Sequence, residues 1–348
     1  MNTKTAIILT FSKDDNRGAN LQCYALKKKL EELGVIVRFL DIQLPRKQLN
    51  TTGLLVSKIK NICASSFRKR NKFEYTRKYS NLQQLKNNPP QADIFIVGSD
   101  QVWNPDLTRK LDPRVYFFSF LDDSVKRISY AASFGTSEWV PSEYDSQIAV
   151  LLSKFDRVSV REDSGCEICD RVFGRSDVVQ CVDPSLLLTT NDIQKFIRGK
   201  IRPRKHIYSY LLYRSDKVFD LIDKISSQTK LKITGDCRNP NIFDKLLTIH
   251  GIERWLKNIA EAELVVTNSF HTMAASILMH KDFIVVPPVK GRETRLISLL
   301  NVLGLEDRYI GYGKNIDISS LPPIDYEVVD KNINNLRQSS IDFLNISL

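Results

Sequence analysis

Short apolar runs alternate with longer amphipathic stretches along most of the chain. Runs of this kind predict strands, and apolar positions that recur every three or four residues predict helices. The predicted strands are 6–11, 35–40, 93–97, 127–131, 157–160, 178–182, 208–212, 231–234, 264–267 and 283–286. The predicted helices are 19–33, 142–154, 164–172, 216–227, 251–262, 270–279 and 292–303. This alternation indicates an α/β fold with parallel sheets that are covered on both faces.

The length of 348 residues predicts two domains, because a single hydrophobic core stops growing near about 250–300 residues. Asp183-Pro184 and the polar run 189–192 indicate the junction. We expect Rossmann-like domains at 1–187 and 188–330 and a terminal helix or tail at 331–348, with a basic, mostly helical excursion at 54–86. In tandem domains of this kind, a ligand lies between them, at the carboxyl ends of the strands.

Composition is typical of a globular protein, with 42% hydrophobic residues. No apolar run is long enough for a transmembrane helix, and the amino-terminal apolar stretch is too short for a signal peptide. Of six cysteines, only Cys166 and Cys169 form a C-x-x-C pair, and no second pair of ligands accompanies it. We therefore expect a cytoplasmic protein in a reducing compartment, without a metal site.

The net charge of +11 favours an anionic partner. The segment 58–79 concentrates this charge and interleaves it with aromatic residues; Glu74 is its sole acid. One interpretation is a solvated helical face. The other is a surface that docks on anionic lipid headgroups, which would place the protein at the inner face of the cytoplasmic membrane. Nucleic acid is not an expected partner, because no nucleic-acid motif accompanies the charge.

His271 occupies the most informative position in the sequence. It follows the predicted strand 264–267 and falls in the first turn of the next helix. Helix N-termini present unpaired N–H groups and bind phosphates and carboxylates. A lone histidine is more often a packing residue, but this junction favours a group that exchanges protons with an anionic substrate.

Other polar clusters follow predicted strands. After 93–97, Asp100 is a candidate general base, and Gln101, Trp103 and Asn104 suit a sugar, although Asp100 could simply cap a helix. The small residues at 129–135 allow the backbone to approach a ligand closely, or allow a helix to pack closely on the sheet. Arg17, Gly18 and Asn20 follow the first strand. They could contact a phosphate or a sugar, or they could form an ordinary turn between a strand and a helix.

Arginines at two places in the sequence could bind an anion bidentately. Arg161 follows the strand 157–160, and the alternative for it is a surface pair with Glu162 or Asp163. Arg292 and Arg295 open the helix after 283–286, where either could simply be exposed. The sequence contains no G-x-S-x-G elbow and no H-E-x-x-H motif, so hydrolase chemistry finds little support.

Six segments in order resemble the polysaccharide pyruvyl transferase family, over roughly residues 18 to 305. One such segment alone would be weak, but six in order are specific to the family, though not to one substrate. The segments are 18–26, 97–104, 129–135, 158–162, 182–187 and 268–271.

The resemblance implies two Rossmann-like domains in the GT-B arrangement, with the acceptor on the N-terminal side and the donor on the C-terminal side. It implies a bacterial enzyme that uses phosphoenolpyruvate as co-substrate, with no other cofactor. The acceptor would be a hexose of a surface polysaccharide, such as a capsule or exopolysaccharide, or of its lipid-linked precursor. The products would be a cyclic pyruvate ketal and phosphate. A polyprenyl-phosphate-linked acceptor would also explain the basic segment 58–79.

The resemblance also implies roles for individual residues. The family's catalytic histidine corresponds to His271, with Asp100 as a weaker candidate for the base. Some members carry an arginine two residues before that histidine, where this chain has Ser269, so another arginine must supply one phosphate contact. The expected donor-binding residues are Arg161, Ser269, Phe270, Arg295 and Arg292. The expected acceptor-binding residues are Arg17, Asn20, Gln22, Gln101, Trp103 and Asn104.

Two other functions stay open at this point. A sugar-nucleotide-dependent GT-B glycosyltransferase would bind a nucleoside diphosphate in the second domain. A basic adaptor would bind nucleic acid or membrane in a salt-dependent manner that is indifferent to His271→Ala.

Overall fold

The computed structural model describes residues 3–43, 51–108, 111–240, 250–289, 292–313 and 317–348, and for 51–55 and 319 only the backbone. Two parallel sheets, each flanked by helices, form the frame. The strands of the first sheet are β1 (Thr5–Leu9), β2 (Ile36–Ile42), β3 (Tyr75–Tyr79), β4 (Ile94–Val97) and β5 (Lys126–Ser129). A short pair follows, β6 (Ser159–Val160) and β7 (Val179–Gln180). The second sheet contains β8 (His206–Tyr210), β9 (Lys232–Gly235), β10 (Leu264–Thr267) and β11 (Asp282–Val285).

Helices connect these strands. Within the described residues they are α1 (Arg17–Glu32), α2 (Thr51–Arg70), α3 (Leu82–Asn87), α4 (Pro105–Thr108), α5 (Asp145–Ser153), α6 (Asp163–Phe173), α7 (Thr190–Gln194), α8 (Asp216–Thr229), α9 (Ile252–Glu261), α10 (Phe270–Leu278), α11 (Thr294–Leu303) and α12 (Tyr326–Ser347). Short 3-10 turns cover Pro113–Phe117, Pro184–Leu187, Glu306–Arg308 and Ile318–Ser320. None of the described helices is long and apolar enough to cross a membrane.

The first sheet has the order β3-β2-β1-β4-β5, and all of its neighbouring strands are parallel. Its central strands β1 and β4 are almost wholly buried and apolar, as expected for strands covered by helices on both faces. Isolated bridges from Ile128 to Arg157 and from Ala132 to Val160 join β6 to the edge at β5. The carboxyl ends of β1, β4, β5 and β6 therefore lie along one edge of the first sheet.

The second sheet has the order β11-β10-β8-β9, again with parallel neighbours. Strand β10 is central and fully buried, and α10 follows it with every residue buried. The predicted alternation of strands and helices is thus confirmed for both halves. Most predicted boundaries agree with the observed ones to within a few residues.

The expectation of a mostly helical excursion at 54–86 is wrong in part, because the chain forms β3 between α2 and α3. Phe67 and Tyr79 are buried, and Phe73 stacks on Phe39 of β2 with ring centroids 4.8 Å apart. The aromatic residues of the segment therefore belong to the core. Strand β3, at the edge of the first sheet, is basic and exposed at Arg77 and Lys78. Exposed basic residues on an edge strand discourage edge-to-edge association.

The C-terminal helix α12 begins at Tyr326, earlier than the expected tail at 331–348, and returns to the first sheet. The backbone N–H of Val182 donates to Ser340 Oγ at 3.0 Å, and Arg337 Nε donates to the carbonyl of Leu186 at 2.8 Å. At the other end of the helix, the Tyr326 hydroxyl donates to the carbonyl of Lys281 at 2.6 Å, so the last helix ties the two halves of the chain together.

Candidate active site

His271 lies where the two halves of the chain meet. Strand β10 delivers it to the second position of α10, whose N-cap is Ser269. Gly18, at the start of α1, packs directly against the imidazole: a Cβ added at Gly18 would lie 2.2 Å from His271 Nδ1. Gly18 is therefore needed to make room for the ring rather than to allow a special backbone angle. With Nδ1 against α1, Nε2 is the nitrogen that points toward the remaining polar groups.

Asp183 is the charged centre of these groups and is fully buried. Its Oδ2 accepts hydrogen bonds from Arg161 Nη1 at 2.7 Å and Ser99 Oγ at 3.0 Å, and lies 3.5 Å from His271 Nε2. The last distance is an electrostatic contact rather than a well-formed hydrogen bond. Burial alone would raise the pKa of the Asp183 carboxyl, but His271, Arg161 and Ser185 hold this pKa well below its usual range.

Arg161 is held from several sides at the end of β6. Its guanidinium carbon lies 4.7 Å from the centroid of the Phe270 ring, and its side chain is almost fully buried. Burial acts to lower the pKa of Arg161, but Asp183 and Glu162 raise it overall, so the guanidinium is charged. Nε and Nη2 nevertheless have no hydrogen-bond partner among the described residues.

Arg295 is a second buried arginine near Arg161, in the first turn of α11. Burial and the charge of Arg161 both lower its pKa, and its Nε has no hydrogen-bond partner in the described part of the chain. Buried N–H groups are almost always paired, and an unpaired one costs about 1–3 kcal/mol, more when charged. Two neighbouring guanidinium groups with unpaired N–H atoms are therefore candidate partners for an anion. Together with His271, which shares Asp183 with Arg161, we call them the arginine pocket (Arg161, Arg295 and His271).

Glu162 explains the small residues at 129–135. Its Oε1 accepts hydrogen bonds from Ser133 Oγ at 2.8 Å and from the backbone N–H groups of Phe134 and Gly135 at 2.9 and 3.0 Å. Its Oε2 lies 3.7 Å from Arg161 Nε. The pairing of Arg161 with Glu162 considered from the sequence thus exists, but it is buried rather than on the surface, and the loop serves to hold this carboxylate.

Asp100 has a strained backbone with φ of 83°, which is uncommon for any residue other than glycine. Its Oδ1 accepts the N–H of Gln101 at 2.8 Å, and its charge acts on Arg161, Arg295 and Asp14. Asp100 does not cap α4; Asn104 does, through the N–H of Asp106. Asp100 therefore acts on both guanidinium groups through its charge, without a hydrogen bond or ion pair to either one among the described residues.

Four residues expected to contact the acceptor are buried parts of the scaffold. Trp103 is 2% exposed, stacks on Phe117 and donates its indole N–H to the carbonyl of Tyr116, so no face is free for a sugar. Asn104 is fully buried, and its amide donates to Gln101 Oε1. Gln101 and Gln22 are likewise buried, the first against Gly135 and the second against Thr10 and Cys23. For these residues the sequence-based expectation is wrong.

Arg17 and Asn20 lie at the rim of a separate cavity between the two sheets. Arg17 Nε donates to the carbonyl of His250 at 2.7 Å, and its guanidinium lies over the Tyr210 ring. Asn20 is buried, and its amide nitrogen donates to the carbonyls of Asp14 and Asn16. Asn20 therefore fixes the loop that lines the cavity.

Arg292 is engaged elsewhere. It donates from Nη2 to Asp106 at 3.1 Å and from Nη1 to the hydroxyl of Tyr213 at 2.9 Å. It thus links the loop after β4 to the loop after β8, and Arg295 is the better candidate for the missing phosphate contact. No cluster of three or more His, Cys, Asp or Glu side chains that could hold a metal occurs among the described residues.

Sequence reasoning missed several residues of the site: Asp183, Ser99 and Glu162. In the sequence, Asp183-Pro184 indicates a domain junction, although Asp183 follows a predicted strand as the other site residues do. That shared position at a strand end was the available signal. The sequence does not show, however, which strand ends come together.

The fold places this chain among GT-B proteins. It is similar to a putative UDP-N-acetylglucosamine 2-epimerase from Listeria monocytogenes (TM-score 0.55, 12% identity, 97% of this chain and 91% of that chain). It is also similar to AviGT4, a glycosyltransferase of avilamycin A biosynthesis (TM-score 0.52, 11% identity, 99% and 96%). A third is an α-glucosyltransferase in complex with UDP and DNA (TM-score 0.51, 9% identity, 99% and 92%). At such identities these similarities establish the fold alone: two Rossmann-like domains in the GT-B arrangement.

The family is established by sequence. The family model for polysaccharide pyruvyl transferase matches residues 16–288, most of the chain, and the protein belongs to this family. No curated protein matches the chain. The matched region includes Gly18, Asp100, Arg161, Asp183 and His271.

Proposed function

We propose that the protein transfers the enolpyruvyl group of phosphoenolpyruvate to a hexose of a surface polysaccharide or its lipid-linked precursor, forming a cyclic pyruvate ketal and releasing phosphate. The observation that carries this proposal is the arginine pocket, in which two buried guanidinium groups have unpaired N–H atoms and one of them, Arg161, shares the Asp183 carboxylate oxygen with the imidazole of His271. Phosphoenolpyruvate has two anionic groups and an alkene carbon that must accept a proton, so it needs this combination.

The anionic groups of the donor have suitable partners. Arg161 offers Nη2, Arg295 offers Nε, and the first turns of α10 and α11 are near these side chains. Charge-assisted hydrogen bonds from guanidinium groups to carboxylate or phosphate are about twice as strong as neutral ones. Helix N-termini add partial positive charge. A dianionic or trianionic ligand would also relieve the repulsion between the two buried arginines.

His271 is the proposed acid. An imidazolium Nε2 transfers its proton to the methylene carbon of phosphoenolpyruvate, which leaves a cationic centre at the neighbouring carbon. Asp183, 3.5 Å from Nε2, stabilises the imidazolium before the transfer. A hexose hydroxyl attacks the cationic centre and loses its proton, and phosphate then departs with the C–O electron pair. A second hydroxyl attacks the cationic centre that forms again and closes the ketal, and its proton passes to the departed phosphate. The methylene carbon becomes a methyl group, so atoms and charge balance.

The lipid-linked acceptor has a separate support in α2. Although the aromatic residues of 58–79 are in the core, Ile59 and Ile62 are 39% and 68% exposed, and Lys58 and Lys69 are exposed with them. Apolar side chains among lysines suit the surface of an anionic bilayer. We therefore propose that this exposed face of α2 holds the protein at a membrane surface.

Thermal stabilisation by ligands tests the donor. A ligand that binds only the folded state raises the melting temperature by mass action. We expect phosphoenolpyruvate to stabilise the wild type and Arg161→Ala to abolish the effect, whereas UDP and UDP-sugars give no shift. Arg171→Ala, at an exposed pair with Glu167, is the matched arginine control and should keep the shift. Stabilisation by a sugar nucleotide alone would contradict pyruvyl transfer and favour a glycosyltransferase.

A further inference from the structure

A cavity of about 150 Å³ lies between the sheets and is lined in part by the start of α1, which also packs against His271. The loop after β1 forms one wall with Asp14 and Asp15, α2 forms a second with Lys60 and Cys63, and Tyr210 of β8 closes it from the other half of the chain. We call it the cleft cavity. Its volume is about ten times what one water molecule needs and well below that of a drug-sized pocket. A single sugar ring is a ligand of this scale.

The lining is polar and carries both signs of charge. Two adjacent carboxyl groups, Asp14 and Asp15, face it together with the ammonium group of Lys60. Lys60 forms no ion pair with any described residue, and burial together with the charge of Arg17 lowers its pKa. Carboxylate, ammonium and phenolic groups are partners for hydroxyl groups. The near balance of charge favours a neutral polyhydroxyl ligand over a second highly charged anion.

The cleft cavity and the arginine pocket meet at α1 and Asp100. Gly18, which touches His271, is next in sequence to Arg17, which lines the cavity. Asp100 acts electrostatically on Asp14 on one side and on Arg161 and Arg295 on the other. The start of α1 is therefore shared between the cavity and the proposed donor site.

The loop that carries Asp14 is fixed. The Asp14 carbonyl accepts hydrogen bonds from Asn20 Nδ2 at 2.8 Å and from Arg68 Nη1 at 3.0 Å, and its Oδ1 accepts the N–H of Asn16 at 2.8 Å. Asp14 is exposed at the mouth of the cavity, and desolvation together with the charges of Asp15 and Asp100 raises its pKa to about 6, against the lowering effect of the Asn16 hydrogen bond. A carboxylate of this kind accepts a proton more readily than an ordinary surface aspartate. Asp100, by contrast, does not line the cavity.

We infer that the cleft cavity binds the acceptor hexose and that Asp14 is the catalytic base that takes the proton of the attacking hydroxyl. The inference rests on the proposed pyruvyl transfer. As the hydroxyl oxygen forms its bond to the central carbon of the protonated donor, its O–H bond breaks and the proton moves to an Asp14 carboxylate oxygen. His271 has meanwhile lost its proton to the methylene carbon, so the first addition consumes one proton and releases one.

Cys63 allows binding to be tested without turnover. Its thiol is free, partly exposed and part of the cavity wall, whereas Cys166 is free and partly exposed on α6, outside the cavity. Alkylation by N-ethylmaleimide would be followed for each cysteine by peptide mass spectrometry. We expect at least one of methyl glucoside, galactoside or mannoside to slow the modification of Cys63 at least fivefold and leave Cys166 unchanged. Phosphoenolpyruvate, inorganic phosphate and UDP should not protect Cys63.

Absence of protection by any hexoside would overturn the inference, as would protection by phosphoenolpyruvate or UDP in their place. This outcome is distinct from failure of the proposed function, because donor binding is measured separately by the Arg161-dependent thermal shift. If phosphoenolpyruvate binds while hexosides leave Cys63 unprotected, the proposal of pyruvyl transfer stands and the assignment of the cleft cavity as the acceptor site is refuted.

Kinetics with a protecting hexoside test the role of Asp14. Asp14→Asn should lower kcat at least 100-fold, within the usual range for a general base, and should leave the thermal shift and the Cys63 protection intact. The acid limb of the wild-type pH–rate profile should vanish in this variant, which a merely structural role would not cause. Asp177→Asn, at an exposed aspartate outside the cavity, is the control. Wild-type kcat in Asp14→Asn, or loss of the acid limb in Asp15→Asn instead, would refute the assignment.

Discussion

The contact between Gly18 and His271 makes a sharp prediction for Gly18→Ala. The new Cβ would lie 2.2, 2.4 and 2.7 Å from Nδ1, Cγ and Cβ of His271, whereas carbon atoms in contact are normally about 3.5–4.0 Å apart. The imidazole must therefore move by more than an ångström. Overpacking of this kind costs about 1–3 kcal/mol, and a displacement of 1 Å in a catalytic group can cost about 100-fold in rate.

The assay combines urea unfolding with phosphate release from phosphoenolpyruvate in the presence of an acceptor hexoside. We expect Gly18→Ala to lower kcat about 100-fold and to reduce the free energy of unfolding. In a His271→Ala background the two ring contacts are absent and only the contact with Cβ, at 2.7 Å, remains, so the stability loss should be smaller and the two substitutions should show a coupling energy of about 0.5–3 kcal/mol. Gly165→Ala in the first turn of α6, where the nearest atom would be 3.1 Å away, is the matched control. Full activity of Gly18→Ala, or an equal stability loss in the His271→Ala background, would refute the reasoning.

Three further predictions concern charge. Arg295→Ala should weaken phosphoenolpyruvate binding at least tenfold by calorimetry, whereas Arg292→Ala, which loses contacts to Asp106 and Tyr213, should have a smaller effect; equal effects would contradict the pocket. Asp183→Asn should cost about 3–5 kcal/mol at pH 7 because it leaves Arg161 without its buried partner. Folding lowers the pKa of Asp183, so the difference in unfolding free energy between the wild type and the variant should be complete above about pH 4 and should decrease as the pH falls further. A difference that acid leaves unchanged would contradict the pairing. Lys58→Glu with Lys69→Glu should reduce co-sedimentation with anionic vesicles at low salt but not with neutral ones; unchanged sedimentation would refute the docking face on α2.

The sequence predicts the frame of this fold well, because buried parallel strands leave apolar runs that helices must cover. Strand β10 is uniformly apolar and is followed at once by an N-cap and a helix, so the position of His271 at a helix N-terminus is confirmed. Strand β3, Tyr75–Tyr79, is the opposite case. It is short and basic, and its pairing with β2 depends on a neighbour that its own sequence does not identify.

The site is predicted less completely, because burial and pairing depend on which strand ends meet. Trp103 has the composition of a sugar platform, yet three aromatic neighbours enclose it: Phe117, Phe134 and Phe155. Asp183 is distant in sequence from both Ser99 and His271, and only the folded chain shows that one carboxylate oxygen serves them and Arg161 together. The role of Gly18 is likewise invisible until the facing histidine is in place.

The most direct test of pyruvyl transfer is proton NMR of the product formed from phosphoenolpyruvate and an acceptor hexoside in deuterium oxide. Because His271 is proposed to protonate the methylene carbon, the account predicts release of phosphate and a ketal methyl group that carries one solvent deuterium. Product formation should require His271 and be lost in His271→Ala. A product that keeps two vinyl protons, or a glycoside formed from a sugar nucleotide with phosphoenolpyruvate untouched, would contradict it.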